Sequence, residues 1–102
     1  MGRGEPTYDL QQLQQLIGQG QVSSWIMGTA KTGAAQLGFG DEEIVDAVLQ
    51  LTPEHFYKSM ESERFPGLWQ DVYHLVYRGV RLYIKLQMGV GGRAIVVQCK
   101  AR

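Results

Sequence analysis

The spacing of the apolar residues changes near residue 51, and this change constrains the fold more than any other feature of the 102-residue chain. Before it, apolar residues recur at helical intervals, and after it they alternate with polar residues as in strands. Helices followed by a run of consecutive strands predict an α+β domain. We therefore predict a single domain, with residues 1–53 as a mainly helical scaffold and residues 54–102 as an antiparallel sheet that carries the functional site.

Three helices are predicted in the first half from capping residues, turn glycines and apolar stripes. Asp9 and Asp41 are expected to cap the first and third helices, because their carboxylates can accept hydrogen bonds from the free N–H groups of the first turn. The first helix is expected to stop at Gly18 and Gly20, and the second to run from after Ser23-Ser24 to Leu37.

About four strands are predicted in the second half from alternation and turn residues. Arg78-Gly79 is typical of a hairpin turn, so the strands on either side of it should pair antiparallel. We expect an antiparallel meander with the helices packed on one face and the other face open. The predicted strands are Phe56–Met60, Trp69–Tyr77, Leu82–Met88 and Ala94–Lys100.

The formal net charge is zero, but the charges are unevenly distributed. Residues 1–50 contain two basic and six acidic residues, and residues 51–102 contain eight basic and four acidic ones, so the halves carry −4 and +4. A basic half favours a polyanionic partner on one side of the molecule. Chance distribution over a small protein is the open alternative.

Several classes of protein are disfavoured by composition. No apolar run approaches the ~18 residues of a membrane span, and the first residues contain no hydrophobic signal core, so we expect a cytoplasmic protein. The lone Cys99 cannot form an internal disulfide, which fits a reducing compartment. With one cysteine and two separated histidines, no metal site or cofactor is expected.

An open sheet face that carries tyrosine, lysine, arginine, glutamine and histidine suits RNA, because bases stack on aromatic rings and cations hold phosphates. The same groups could cut RNA without a metal if they accept the 2′-hydroxyl proton and stabilise the phosphorane. The residue types alone are equally compatible with non-functional roles for these side chains. Lys58 and Lys85 could be solvated charges, Tyr83 a packing residue, Gln70 a satisfied amide and His74 a structural histidine.

Three strings in the second half carry a family resemblance: Phe56-Tyr57-Lys58-Ser59-Met60, Trp69-Gln70-Asp71-Val72-Tyr73 and Tyr83-Ile84-Lys85. In this order and at these separations they resemble the motility quorum-sensing regulator (MqsR) toxin family. Its members are small bacterial messenger-RNA endoribonucleases with a RelE-like fold, each made as one half of a type II toxin–antitoxin pair. The resemblance covers nearly the whole chain and is strongest in residues 54–88.

The resemblance implies a set of site residues. Lys58 and Lys100 would hold the scissile phosphate, Tyr83 would position the nucleophile or take part in proton transfer, and Gln70 would orient the phosphate or an adjacent base. His74 stands where the family has another residue, so it is not expected to be the base. Secondary RNA contacts are expected from Arg81, Lys85 and Tyr73.

The resemblance also implies partners. The substrate would be mRNA, cut at GCU-like triplets through 2′-hydroxyl attack. A cognate antitoxin, zinc-containing and with a helix-turn-helix domain, would cover the basic half or a sheet edge, and DNA would be bound only through it. The alternatives are a non-catalytic RNA- or protein-binding module on the same scaffold and an antitoxin-like partner.

Overall fold

The computed structural model describes residues 2–102 and confirms an α+β architecture with three α-helices. A 3₁₀ turn, Pro53–His55, joins the last helix to the central strands. The elements in chain order are β1 (Gly2–Arg3), α1 (Leu10–Gly18), β2 (Ser24–Ile26), α2 (Gly28–Ala35), α3 (Asp41–Gln50), β3 (Phe56–Glu61), β4 (Trp69–Tyr77), β5 (Val80–Met88) and β6 (Ala94–Ala101).

The sheet has six strands in the order β1-β3-β4-β5-β6-β2. The four predicted strands form its antiparallel centre, as expected. The prediction of a four-stranded, wholly antiparallel sheet was nevertheless wrong, because β1 extends one edge and β2 pairs in parallel with β6 at the other. These two edge strands have two and three residues, too few to show alternation.

The β4–β5 hairpin has the predicted turn. Arg78 and Gly79 both adopt left-handed backbone conformations, with φ of 49° and 79°. Two successive positive φ values match the twist of the flanking strands, and glycine adopts the second at no steric cost. The turn sets the register from Tyr77 opposite Val80 to His74 opposite Tyr83.

The predicted second helix was wrong at its start. Ser24–Ile26 is the strand β2, paired with Ala94–Val96, and α2 begins only at Gly28. The edge of β6 offers backbone partners to this segment, so pairing overrides the capping potential of the serines. Beyond Val96, α2 covers the same edge of β6, and the Thr29 hydroxyl donates to the Val97 carbonyl at 2.6 Å.

The other two helices are present where predicted, but with one different cap. Asp9 caps α1 and accepts a hydrogen bond from the Gln11 N–H at 2.9 Å. Gly40 precedes α3 instead of the expected Asp41, and its N–H donates to the Glu43 carboxylate at 2.7 Å. Asp41 lies in the first turn of α3 and forms an ion pair with Lys31 at 3.1 Å.

The core lies between the helices and one face of the sheet. Alternate residues of β4, β5 and β6 meet the apolar sides of the helices, and small alanines on α2 permit close packing. Among the helices of residues 2–102, none combines the length and apolar character needed to cross a membrane. The central buried residues are Leu13, Ile17, Ala30, Ala34, Ile44, Val48, Leu75, Leu82, Ile84 and Leu86.

Candidate functional site

The side of the sheet away from the main core carries the polar and aromatic residues that the sequence pattern placed there. We call this side the open face. Strand alternation and register define its members, because side chains directly opposite one another on paired strands share a face. They are Tyr57, Lys58 and Met60 on β3, Gln70, Val72, His74 and Val76 on β4, Arg81, Tyr83, Lys85 and Gln87 on β5, and Gln98 and Lys100 on β6.

A row of three rings crosses the open face. The register of β3 shifts between Phe56 and Lys58, and the bulged Tyr57 stacks on His74 with ring centroids 4.2 Å apart and an interplanar angle of 20°. His74 is directly opposite Tyr83, at a centroid distance of 6.0 Å. The row therefore joins β3, β4 and β5 through aromatic contacts.

Tyr83 leans across β4 towards β3. Its hydroxyl donates to the sulfur of Met60 at 3.9 Å. Thioether sulfur is a weak acceptor, so this hydroxyl can readily exchange it for a phosphate oxygen. Burial, and then the neighbouring Tyr57, raises the pKa of Tyr83 above 10.0. The phenol is consequently neutral near pH 7 and acts as a hydrogen-bond donor.

Three lysines surround this row. Lys100 is the direct neighbour of Tyr83 on β6, with its Nζ 5.1 Å from the ring centroid, and the Lys85 Nζ is 5.8 Å from the same centroid. The Nζ of Lys58 lies 5.4 Å from the ring of Tyr57. Both distances on Tyr83 are within the range of cation–π attraction.

The lysines lie close enough to influence one another. Burial, followed by the charge of Lys100, lowers the pKa of Lys85 from its usual value; Lys58 acts in the same direction and Glu63 opposes it. Within residues 2–102, the ion pair found in the structure is Lys31–Asp41, which none of these three lysines joins. A cluster of cations without carboxylate partners is suited to bind an anion.

His74 has the electrostatics of a neutral imidazole. Burial lowers its pKa below 6.5, and the positive charges of Arg102 and Lys58 lower it further. Sequence reasoning gave His74 no catalytic role. Counting back from the Arg78-Gly79 turn nevertheless places it opposite Tyr83. The hairpin register was therefore the signal that could have included His74 in the site.

Gln70 lies at one end of the open face. It is 8% exposed, and its Nε2 donates to Oε1 of Gln87 on the neighbouring strand at 2.8 Å. Lys58 is opposite Val72, and Val72 lies two residues after Gln70 on β4. Gln70 and Lys58 are therefore separated by roughly 7 Å along the strand direction. The structure thus places Lys58, Tyr83 and Lys100 around one centre and Gln70 beside it.

The expected RNA contact from Tyr73 was wrong. Tyr73 shares the helix-facing side of β4 with Leu75, is 1% exposed, and packs edge-on against Phe56 with ring centroids 5.6 Å apart. Burial, with a contribution from Asp71, raises its pKa to about 12. The alternation of β4 places Gln70 and His74 on one face and Tyr73 on the other. The burial of Tyr73 could therefore have been predicted from the sequence.

Arg81 is exposed on the open face, at the end nearest the chain terminus. Its carbonyl accepts a hydrogen bond from the Arg102 N–H at 3.0 Å. Val76 is its partner on β4. Arg81 therefore extends the basic surface beyond His74 without entering the lysine cluster.

Asp71 has a structural role. It is completely buried, and its two carboxylate oxygens accept hydrogen bonds from the backbone N–H groups of Thr7 and Tyr8 at 3.0 and 2.9 Å. The Thr7 and Ser59 hydroxyls are 2.6 Å apart, and Ser59 follows Lys58 on β3. The N-terminal segment is thereby fixed next to the strand that carries Lys58.

An open basic face with aromatic rings, on a sheet supported by helices, is the surface of a nucleic-acid-binding protein. A family model described as "Motility quorum-sensing regulator, toxin of MqsA" matches residues 5–101. The chain belongs to this family of toxins. It is similar to the mRNA interferase toxin MqsR of Escherichia coli (strain K12), with 29% identity over 86 residues, 84% of this chain and 86% of that protein.

Proposed function

We propose that this protein is the toxin of a type II toxin–antitoxin system and an endoribonuclease that cuts mRNA without a metal or cofactor. The observation that carries the proposal is the cluster of Lys58, Lys85 and Lys100 around the ring row of Tyr57, His74 and Tyr83 on the open face. The family membership and the name of the E. coli relative support it. We also propose, from the family resemblance, that the fold is a variant of the RelE-like one.

The first task of the site is to hold the scissile phosphate. Lys58 and Lys100 are placed on the outer strands of the cluster, so a phosphate over Tyr83 would meet a cation from either side. As the 2′-oxygen attacks, the phosphorane gains negative charge, and fixed cations stabilise it more than they stabilise the starting diester. Gln70, beside this centre, would orient the phosphate or an adjacent base.

The second task is proton transfer. Tyr83 is neutral at physiological pH because burial raises its pKa, so it serves as a donor to a phosphate oxygen or to the leaving 5′-oxygen. Two side chains in the site can accept the 2′-hydroxyl proton. His74 is already neutral near pH 7, whereas Lys85 has a lowered pKa but starts from 10.5. We assign the acceptor role to His74, contrary to the expectation from the family resemblance, because a base needs its free electron pair at the working pH.

The chemistry defines the products. The 2′-oxygen forms a new bond to phosphorus while the bond to the 5′-oxygen breaks, leaving a 2′,3′-cyclic phosphate and a 5′-hydroxyl. One proton leaves the 2′-hydroxyl and one is delivered to the 5′-oxygen, so the step needs no water or further reactant. By resemblance, the cuts fall at GCU-like triplets of mRNA in the bacterial cytoplasm.

The family description names MqsA as the partner of its toxins. We propose that a cognate antitoxin of this kind, zinc-containing and with a helix-turn-helix domain, binds this chain. Operator DNA would then be contacted by the antitoxin and only indirectly by the toxin.

The decisive test is to incubate the purified chain with a long defined RNA in EDTA, map the new 5′ ends and analyse the 3′ ends for cyclic phosphate. We expect cuts at one repeated short sequence, abolished by Lys58→Ala and strongly reduced by Tyr83→Phe. Full cleavage by Lys58→Ala would refute the site assignment. A folded wild-type chain that binds the RNA without cutting it would instead establish the non-catalytic binding module.

A further inference from the structure

A cavity of about 500 Å³ opens beside the lysine cluster, between the open face and the segment that joins β3 to β4. Its floor is formed by Gln70, Gln87 and Gln98, and Lys85 forms the side nearest Tyr83. Phe65 and Met60 contribute apolar surface. Arg64 and Glu63 also line it, so the cavity combines amides, an apolar wall, two cations and one carboxylate.

The floor contains a fixed pair of amides. Gln70 and Gln87 are each 8% exposed and are joined by the 2.8 Å hydrogen bond from Nε2 to Oε1. That bond uses the amino group of one amide and the carbonyl of the other. Each glutamine has both groups, so the pair retains one carbonyl and one amino group for a ligand. An acceptor and a donor side by side match the hydrogen-bonding edge of a nucleobase.

The wall is an exposed aromatic ring on an ordered segment. Phe65 is 59% exposed, so its ring is accessible to a ligand in the cavity. The segment is held by the Ser62 hydroxyl, which accepts from the Phe65 N–H at 3.2 Å, and by Glu61, which accepts from the Gly67 N–H at 2.8 Å. The ring is therefore presented by fixed backbone.

Lys85 connects this cavity to the proposed cleavage centre. It belongs to the lysine cluster and also lines the cavity. A strand of RNA with one phosphate over Tyr83 would place a neighbouring nucleotide at the cavity entrance. Unpaired bases of single-stranded RNA can be turned outward, stacked on an aromatic ring and read by amides.

We propose that this cavity is the base-recognition subsite: it takes one nucleobase next to the scissile phosphate, stacks it on Phe65 and reads its edge with Gln87 and Gln70. The inference rests on the proposed ribonuclease function and adds to it the residues that select the sequence. Gln87 and Phe65 are thereby specificity residues outside the set implied by the family resemblance.

The test maps cleavage sites of three variants on one long RNA by sequencing the new 5′ ends. Gln87→Glu keeps the acceptor for Gln70 Nε2 but replaces the amino donor by a second acceptor. Phe65→Ala removes the ring from an exposed position, so folding should be preserved. Leu49→Ala is the control, since Leu49 is 47% exposed and lies on α3, on the opposite side of the sheet from this cavity.

We expect Gln87→Glu to relax or change the preference at one position of the cut sequence by about tenfold to a hundredfold, because one well-formed base contact contributes that much discrimination. Phe65→Ala should lower kcat/KM at the preferred sites by about tenfold, the effect of one stacking interaction. Leu49→Ala should retain both the preference and the rate.

Three other results would overturn the inference. Unchanged preference in Gln87→Glu, with the wild-type chain cutting normally, would show that the cavity does not read a base while leaving the proposed function intact. An equal fall at all sites in Gln87→Glu would assign the residue to catalysis or structure instead. A wild-type chain that does not cut RNA would refute the ribonuclease function itself, and the subsite with it.

Discussion

Gly33 of α2 lies directly against the carbonyl of Cys99 on β6. A Cβ placed on Gly33 would be 2.6 Å from that oxygen and 3.1 Å from the Cβ of Lys100. The helix therefore approaches the strand as closely as its backbone permits, and it does so at the residue that precedes a proposed phosphate ligand. Residue 33 has to be glycine for α2 to cover this edge of β6.

Replacing Gly33 by alanine should shift β6 and the lysine that it carries. Overpacking costs about 1–3 kcal/mol, and the better helix propensity of alanine returns about 1 kcal/mol. We expect a net loss of up to about 2 kcal/mol in the free energy of unfolding, measured in urea, and a fall in kcat for RNA cleavage. The cause of both effects is the displaced backbone at Cys99 and Lys100.

The same helix offers a matched control. A Cβ on Gly28 would have no neighbour within 4 Å. Gly28→Ala should therefore leave stability and cleavage unchanged or slightly improved. Equal behaviour of the two variants would show that the close approach at Gly33 has no functional consequence.

Asp71 should be required for stability and not for chemistry. Asp71→Ala removes both acceptors from the Thr7 and Tyr8 N–H groups, and each lost hydrogen bond to a charged group costs about 1.5–3 kcal/mol. Because these N–H groups can partly find water, we expect a total loss of about 2–3 kcal/mol in urea unfolding. Asp71→Asn retains one carbonyl acceptor but turns its NH₂ donor towards the other N–H group, so it should lose about as much as Asp71→Ala. Two variants as stable as the wild-type chain would contradict this role.

Sequence reasoning succeeded where two signals agreed. The Arg78-Gly79 turn and the alternation around it each predict the β4–β5 hairpin, and β4 has the bounds that were predicted, Trp69–Tyr77. Because the turn fixes the register, the same residues also predict which side chains share the open face. The catalytic roles of Lys58, Tyr83 and Lys100 came from the resemblance and stay predictions; in the structure Lys100 contacts the ring of Tyr83, and Lys58 the ring of Tyr57.

It failed where the structure depends on distant pairing. Ser24–Ile26 has no alternation of its own and becomes a strand because the edge of β6 is available to it. Tyr73 was expected at the RNA surface because it lies in a family string, although its own strand places it in the core. The Gln70–Gln87 contact joins residues on two strands, and nothing local in either segment indicates it.

The lysine cluster predicts how RNA binding depends on salt. Each phosphate contact on single-stranded RNA contributes about 0.7 to the slope of log K against log salt concentration. Lys100→Met should therefore lower that slope by about 0.7, measured by fluorescence anisotropy with a short single-stranded RNA. Lys31→Met is the control, since Lys31 is paired with Asp41 away from the open face. An unchanged slope in Lys100→Met would exclude a phosphate contact at this residue.

The pH dependence of cleavage should identify the proton acceptor. The pKa of His74 lies below 6.5 because burial, Arg102 and Lys58 all disfavour the imidazolium. If neutral His74 is the base, kcat/KM is constant near pH 7 and falls as the pH drops through this lowered pKa. His74→Asn should then cleave about a hundredfold or more slowly and lose the acidic limb of the profile.

If Lys85 were the proton acceptor, the rate of cleavage would depend on pH in a different way. The measurement therefore distinguishes the two bases. A lysine base has its electron pair free only above its pKa, which burial and then Lys100 lower from 10.5. Catalysis by Lys85 would give a rate that rises through alkaline pH and persists in His74→Asn. Lys85→Met, in contrast, would abolish it. A retained rate in His74→Asn with an alkaline rise would thus transfer the base from β4 to β5.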